Sequence, residues 1–228
     1  LRPISEEEVE KYVIRGQYLQ TTSNDELIQG YRQEKDVAPG SKTETYVAMK
    51  VFVDNWRWGD VPFYIRTGKR LPERVTEVVL YLKPAPLQLF KEANVSRFAN
   101  KITLRIHPDA GIAVDFGMKI PGAGYKVQNV NMDFHYSDLA EVNIPEAYER
   151  LLLDCMIGDS TLYARADAVR ASWKFVDPIL KAWKENPDIP LYFYESNTWG
   201  PVEANQLFEN KAIKWVSPCG KFKCSNQL

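Results

Sequence analysis

The sequence predicts an α+β fold in which a large, mainly antiparallel sheet carries helices on one face. Three observations carry this. Residues 45–136 contain strand after strand with turn-length connections. Several of those strands alternate apolar and polar residues, as an antiparallel sheet with one core face does. After residue 144 the apolar spacing changes to the helical period, and strands followed by helices is the order of an α+β domain.

The elements follow in chain order. Ser5-Glu6-Glu7-Glu8 before Val9, Tyr12 and Val13 is a capping-box pattern, so a short helix is expected inside 4–30, followed by a loop around 21–25. Pro39-Gly40-Ser41 is turn chemistry. Strands are expected at 45–54, 62–66, 76–83, 101–107, 112–116 and 129–136. Ile102, Leu104 and Ile106 share one face of their strand, with Thr103, Arg105 and His107 on the other. Val130, Met132, Phe134 and Tyr136 likewise alternate with Asn129, Asn131, Asp133 and His135. Pro145 suits the first position of a helix whose stripe is Tyr148, Leu151, Leu152 and Cys155, ending at Gly158. A second helix starts near Asp167, buries Val169, Trp173, Val176, Leu180 and Trp183, is kinked by Pro178 and is stopped by Pro187. A strand at 189–194, a short helix from Pro201 to about Phe208 and a short strand at 213–216 complete the chain.

Composition narrows the function. The 228 residues carry 29 Lys plus Arg against 30 Asp plus Glu, a net charge of −1, which excludes a globally basic nucleic-acid binder. No apolar run approaches the ~18 residues of a membrane span. Three cysteines (Cys155, Cys219, Cys224) form no even disulfide framework, and Cys219-x4-Cys224 lacks further ligands for a metal site. With no secretory leader pattern, the reading is a cytoplasmic protein. Cys155 reads as a small core residue. The start at Leu1-Arg2-Pro3-Ile4 reads as the middle of a longer protein.

The densest chemical signal is PFYIRTGKRLPER at 62–74, where Arg66, Lys69, Arg70 and Arg74 place four cations within nine residues beside Gly68. A mobile ammonium and planar guanidinium forks at a strand end suit a dianionic phosphate monoester, and Gly68 permits a sharp turn or close approach. The alternative is a solvated strand end. His107 and His135 stand on polar strand faces without an evident activating partner; Asp133 and His135, two apart on one face at about 7 Å, are loose for a dyad. Gly122-Ala123-Gly124 is not a dinucleotide fingerprint. No catalytic residue and no metal site is assigned.

From 62 to 74 onward the sequence resembles the C-terminal domain of glucose-6-phosphate dehydrogenases of bacterial type. The likeness continues through NKITLRIHP at 100–108, PEAYERLLLDCMIG at 145–158, DSTLYARADA at 159–168, TWGPVEA at 198–204 and KWV at 214–216, and RGQY at 15–18 matches the linker before that domain. The resemblance implies residues 1–30 as helix and linker from an N-terminal half, 31–218 as a substrate-binding and dimerisation domain, and 219–228 as a tail. It implies oxidation of glucose 6-phosphate to 6-phosphoglucono-lactone with hydride transfer to NADP, in the oxidative pentose phosphate pathway. The Rossmann domain, the catalytic His and the cofactor fingerprint would lie upstream of Leu1, so the chain alone is expected to be inactive. Lys69 would contact the sugar phosphate or hydroxyls, and Arg74 would help hold the substrate. His107 occupies a position commonly Gln in relatives and near the substrate. The resemblance also implies a homodimer or tetramer through the sheet.

Some relatives hold a second, structural NADP with basic residues. Arg66, Arg105, Lys119, Asp133 and Trp215 match parts of that pattern, but Val75, Val79, Ile120 and Trp199 stand where basic residues are needed. Losing that many charge-assisted contacts, at roughly 1.5–3 kcal/mol each, predicts no structural NADP. Two rival readings stand beside this one: a non-catalytic sugar-phosphate-binding or assembly module, and a dehydrogenase of another sugar phosphate.

Overall fold

The computed structural model describes residues 1–23, 26–84, 100–122, 126–139, 147–210 and 213–218. They form two compact units. The first comprises Leu1–Pro72 and Asn143–Leu207, the second Glu73–Val142 and Phe208–Leu228. The expected α+β class is observed. The strands divide between two four-stranded sheets and a small hairpin.

In the first unit, a 3-10 turn (Glu6–Glu8) runs into a short helix α1 (Val9–Tyr12). The capping box forms as the sequence indicates: the Ser5 backbone N–H and hydroxyl both reach the Glu8 carboxylate, at 3.1 and 2.9 Å. Strand β1 (Val13–Leu19) follows directly, where the sequence pattern suggested only helix and loop. Beyond it lie a hairpin of β2 (Thr21–Ser23) and β3 (Glu26–Ile28), then β4 (Tyr46–Val51) and β5 (Phe63–Gly68). β4 pairs antiparallel with both β1 and β5, while β10 (Tyr192–Glu195) lies parallel to β1, giving the order β10-β1-β4-β5.

β1 is hidden on both faces, which is why its polar centre is tolerable. Arg15 is buried but donates to the Ile189 and Pro190 carbonyls at 2.8 and 3.3 Å and lies 5.3 Å from the Trp183 ring centre. Gln17 is buried and donates to the Ser41 and Thr43 carbonyls at 3.1 and 2.8 Å. Each buried polar group is thereby satisfied. Over one face, Val13 and Val51 pack with Ile4, Val9, Ile189 and the Ile179, Ala182 and Trp183 side chains of α3 (Ala166–Glu185). The other face holds Tyr46, Tyr194 and the segment after β10. There the absence of a side chain at Gly16 matters, since a Cβ would stand 3.3 Å from the Pro201 ring.

α2 (Ala147–Ile157) and α3 correct the expected helix faces. Tyr148, Leu152 and Cys155 are exposed, and Asp154 is buried, paired with Arg150 Nε at 2.9 Å. Placing Asp154 inward turns Cys155, the next residue on the helix, outward. On α3 the buried side chains are Ile179, Ala182 and Trp183, all in the C-terminal half. Val169 and Trp173 in the N-terminal half are exposed, and so is Leu180, which points away from the Ile179 side of the helix. Pro178 lies inside α3 as expected. The segment from Pro201 becomes a 3-10 helix at Val202–Leu207. Residues 213–216, expected as a strand, are irregular. Pro145 and the tail beyond Pro218 lie outside the described residues.

The second unit is an antiparallel meander of β6 (Thr76–Tyr81), β7 (Lys101–His107), β8 (Gly111–Lys119) and β9 (Val127–His135). Alternation is as the sequence predicts, but the apolar face is not the buried one. Leu104, Ile106, Ile112, Met132 and Phe134 are exposed, whereas Thr103 and Ala113 on the other face are buried.

Candidate functional site

The cation loop begins where β5 ends. In register, Gly68 faces Tyr46, and a Cβ at Gly68 would stand 2.8 Å from the Tyr46 ring. Glycine is therefore required by close approach. Lys69 comes next, with its backbone fastened on both sides. Its N–H donates to the Thr45 carbonyl at 2.8 Å, and its carbonyl accepts the Tyr194 hydroxyl at 2.8 Å. The hydroxyls are linked, and the Tyr194 hydroxyl also lies 3.2 Å from the Thr45 carbonyl. The Tyr18 N–H donates to Thr45 Oγ1 at 3.1 Å, Thr45 Oγ1 lies 3.0 Å from the Tyr194 hydroxyl, and Tyr194 donates onward to Lys69. β1, β4 and β10 thus fix the position of one residue at the end of β5.

Arg70 turns the chain through the left-handed region at φ 53, an uncommon conformation for a side-chain-bearing residue. Its carbonyl accepts the Asn197 N–H at 2.7 Å, and its guanidinium donates to Glu34 Oε1 at 3.1 Å. Tyr18 donates its hydroxyl to the same oxygen at 3.1 Å. The hydrogen bond from Arg70, then that from Tyr18, hold the Glu34 carboxyl below the usual carboxylate range. Arg66 lies 5.1 Å from the Trp199 ring centre, a cation–π distance. Lys69, by contrast, is exposed and has no ion pair or hydrogen bond to its ammonium among the described residues. Of the first unit's three cations in this segment, two are engaged and Lys69 presents its charge outward. Arg74, the fourth, is exposed and belongs to the second unit.

Tyr46 anchors the platform. It is 1% exposed, packs 5.5 Å from the Tyr194 ring and lies against both Gly68 and Gly200. Burial pushes its phenol up to about 12, with the Arg66 guanidinium pulling partly back. The folded state therefore prefers the neutral phenol. That preference is complete below the unfolded value near 10 and is lost as pH rises through about 12. Tyr46→Phe should accordingly make the fall of Tm between those values shallower. An equally steep fall in both proteins would contradict this.

The second unit holds a separate ionic cluster. Arg105 on β7 clasps Asp133 on β9 with its two terminal guanidinium nitrogens, Nη1 and Nη2, and this bonding holds the Asp133 carboxyl below its usual range. His135 Nε2 lies 3.3 Å from Asp133 Oδ1 and 3.3 Å from Arg105 Nη1, while its Nδ1 lies 2.8 Å from Asp109 Oδ2. The sequence reading of Asp133 and His135 as too far apart is thus corrected. Gly111 is in register with both Arg105 and His135, so the long side chains meet across a residue that has none. With Asp133 already committed to Arg105, the cluster is an ion-pair network joining β7 to β9. His107 is exposed at the end of β7, opposite Thr76. Lys119 donates to the neighbouring Ile120 carbonyl at 3.3 Å, and Trp215 stacks edge-on with Phe208 at 5.0 Å. Among the described residues no group of His, Cys, Asp and Glu could hold a metal ion, and no helix is long and apolar enough to cross a membrane.

Sequence reasoning missed Glu34, Tyr18, Thr45 and Tyr194 as the supports of Lys69. Tyr194 lies 125 residues from Lys69, and nothing local marks any of the four as site residues.

Comparison with known proteins gives one answer. The family model described as "Glucose-6-phosphate dehydrogenase, C-terminal domain" matches residues 1–216. Glucose-6-phosphate 1-dehydrogenase of Aggregatibacter actinomycetemcomitans is 48% identical over 223 residues, covering 98% of this chain and 44% of that protein. The Treponema pallidum enzyme is 48% identical over 220 residues, covering 96% of this chain and 42% of its own length. Among solved structures, glucose-6-phosphate 1-dehydrogenase from Mycobacterium avium superposes at a TM-score of 0.72 and 34% identity, over 92% of this chain and 41% of that one. A glucose-6-phosphate dehydrogenase in complex with its substrate glucose-6-phosphate superposes at 0.79 and 27% identity, over 94% and 43%. The chain thus spans less than half the length of these relatives. A match across nearly the whole chain, in sequence and in fold, establishes that the chain belongs to the family of glucose-6-phosphate dehydrogenase C-terminal domains.

Proposed function

We propose that this chain is the substrate-binding part of a cytoplasmic oxidoreductase that oxidises glucose 6-phosphate to 6-phosphoglucono-lactone in the oxidative pentose phosphate pathway, with NADP as hydride acceptor. The observation that carries the reading is Lys69: an exposed ammonium with no partner among the described residues, on a backbone held at 2.8 Å by both Thr45 and Tyr194. A fixed stem under a mobile charge suits an anionic ligand. The nearly full-length likeness to glucose-6-phosphate 1-dehydrogenases, one of them solved with its substrate, supports glucose 6-phosphate as that ligand.

In the complete protein, Lys69 binds the sugar phosphate or hydroxyls and Arg74 assists. Binding energy from that contact orients C1 for reaction. NADP, bound mainly outside this chain, would supply the acceptor for the C1 hydride, and a base outside this chain would take the C1 hydroxyl proton; the part of Lys69 and Arg74 is to hold the sugar in place. The described residues contain no Gly-rich turn opening a helix after a strand. In this reading the catalytic cofactor is held mainly outside this chain, and no structural NADP is bound, because Val75, Val79, Ile120 and Trp199 stand where basic residues are needed.

Residues 31–218 serve as the substrate and dimerisation domain in this reading, with 1–30 as its connection and 219–228 as a tail. The protein acts as a homodimer or tetramer through the sheet. The exposed apolar row Leu104, Ile106, Ile112, Met132 and Phe134 supports an association there. It binds no nucleic acid and no membrane.

The test compares this chain with the complete protein for reduction of NADP at equal molarity, with glucose 6-phosphate and with galactose 6-phosphate. Activity of the complete protein alone, on glucose 6-phosphate, is the expected result. Activity of the chain by itself would overturn the division of labour, and a preference for galactose 6-phosphate would overturn the substrate.

A further inference from the structure

The loop that carries Lys69 is held by a residue 35 positions upstream, and that residue sorts the loop's charges. Glu34 Oε1 accepts two hydrogen bonds, from Tyr18 and from Arg70, both at 3.1 Å. Tyr18 is buried on β1, so the carboxylate is tied to the sheet. Arg70 stands at φ 53 immediately after Lys69, where the backbone changes direction. A residue in this region persists when its surroundings over-determine it. Here the supports are the Asn197 N–H on the Arg70 carbonyl at 2.7 Å and Glu34 on its guanidinium.

We propose that Glu34 is a positioning residue for substrate binding: by holding Arg70 it sets the direction of Lys69 and keeps Arg70 from competing for the substrate's anionic group. This rests on the reading of Lys69 as a substrate ligand. Glu34 makes no contact with substrate in this account. Its effect passes through the backbone at Lys69–Arg70 and through the neutralised Arg70 charge.

The test is a double-mutant cycle in the complete enzyme, read by steady-state kinetics with glucose 6-phosphate. Glu34→Ala and Glu34→Gln are each made alone and combined with Lys69→Ala. Glu34→Ala should raise KM on the order of fivefold, with a smaller change in kcat, a size typical of coupling between neighbouring side chains. Glu34→Gln should raise it less, because its side-chain carbonyl still accepts from Tyr18. In the Lys69→Ala background, adding Glu34→Ala should change KM by less than about twofold. If Glu34→Ala fails to fold, Glu34→Gln is judged by the same criteria. An equal effect of the Glu34 substitution in both backgrounds, or none in either, overturns the proposal. If Lys69→Ala by itself leaves kcat/KM unaltered, the Lys69 reading fails first and the positioning role falls with it. A fall with Lys69→Ala but no coupling removes only the role of Glu34.

Discussion

Lys69→Ala in the complete enzyme should lower kcat/KM for glucose 6-phosphate by roughly 30- to 150-fold, the equivalent of about 2–3 kcal/mol for one charged contact. The fold supports this size because, of the other cations in the segment, only Arg74 is left to contribute. Arg66 is stacked against Trp199, and Arg70 is bonded to Glu34. The loss should be specific to binding, since the Lys69 backbone bonds to Thr45 and Tyr194 do not need its side chain. Tm of the variant should therefore stay close to that of the parent. A kcat/KM within twofold of the parent would remove Lys69 from the substrate site.

Gly200→Ala should be the most damaging single methyl in the first unit. Gly200 has φ +99, and an added Cβ would stand 2.3 Å from Tyr46 Cε2 and 2.5 Å from Cζ. Tyr46 has no room to yield, since Tyr194 packs on it and Gly68 already approaches it within contact. Strained backbone and an overpacked core each cost on the order of 1–3 kcal/mol, so a combined loss of about 3 kcal/mol or more is expected. Gly158→Ala is the control. Its φ is +78, but nothing lies within 4 Å of the added Cβ, so only the backbone part should appear. Urea unfolding gives the comparison, through the midpoint at constant m. Equal losses for the two variants would mean that Tyr46 yields to the added methyl.

Much of this arrangement was legible in the residues. The meander of β6 to β9 could be read because its alternation is local, and the cation loop because Arg66, Lys69, Arg70 and Arg74 are close in the chain. β1 could not. Its centre, Arg15-Gly16-Gln17, reads as polar linker until the carbonyls of Ile189, Pro190, Ser41 and Thr43 are brought to it. The helix faces were misassigned for a related reason: apolar spacing marks a stripe without saying what covers it, and Tyr148, Leu152 and Trp173 are exposed. The polar cluster was missed because Gly111 carries no side chain to mark the place where Arg105 and His135 meet. In the site, the charge was visible but its support was not. Tyr194 and Glu34 reach the loop from 125 and 36 positions away.

The most direct test of the central claim is a crystal structure of the complete enzyme with glucose 6-phosphate bound. The account predicts Lys69 Nζ within hydrogen-bonding distance of a phosphate or hydroxyl oxygen of the sugar, with Arg70 still on Glu34. Lys69 turned into solvent, with the phosphate held wholly by other residues, would contradict it.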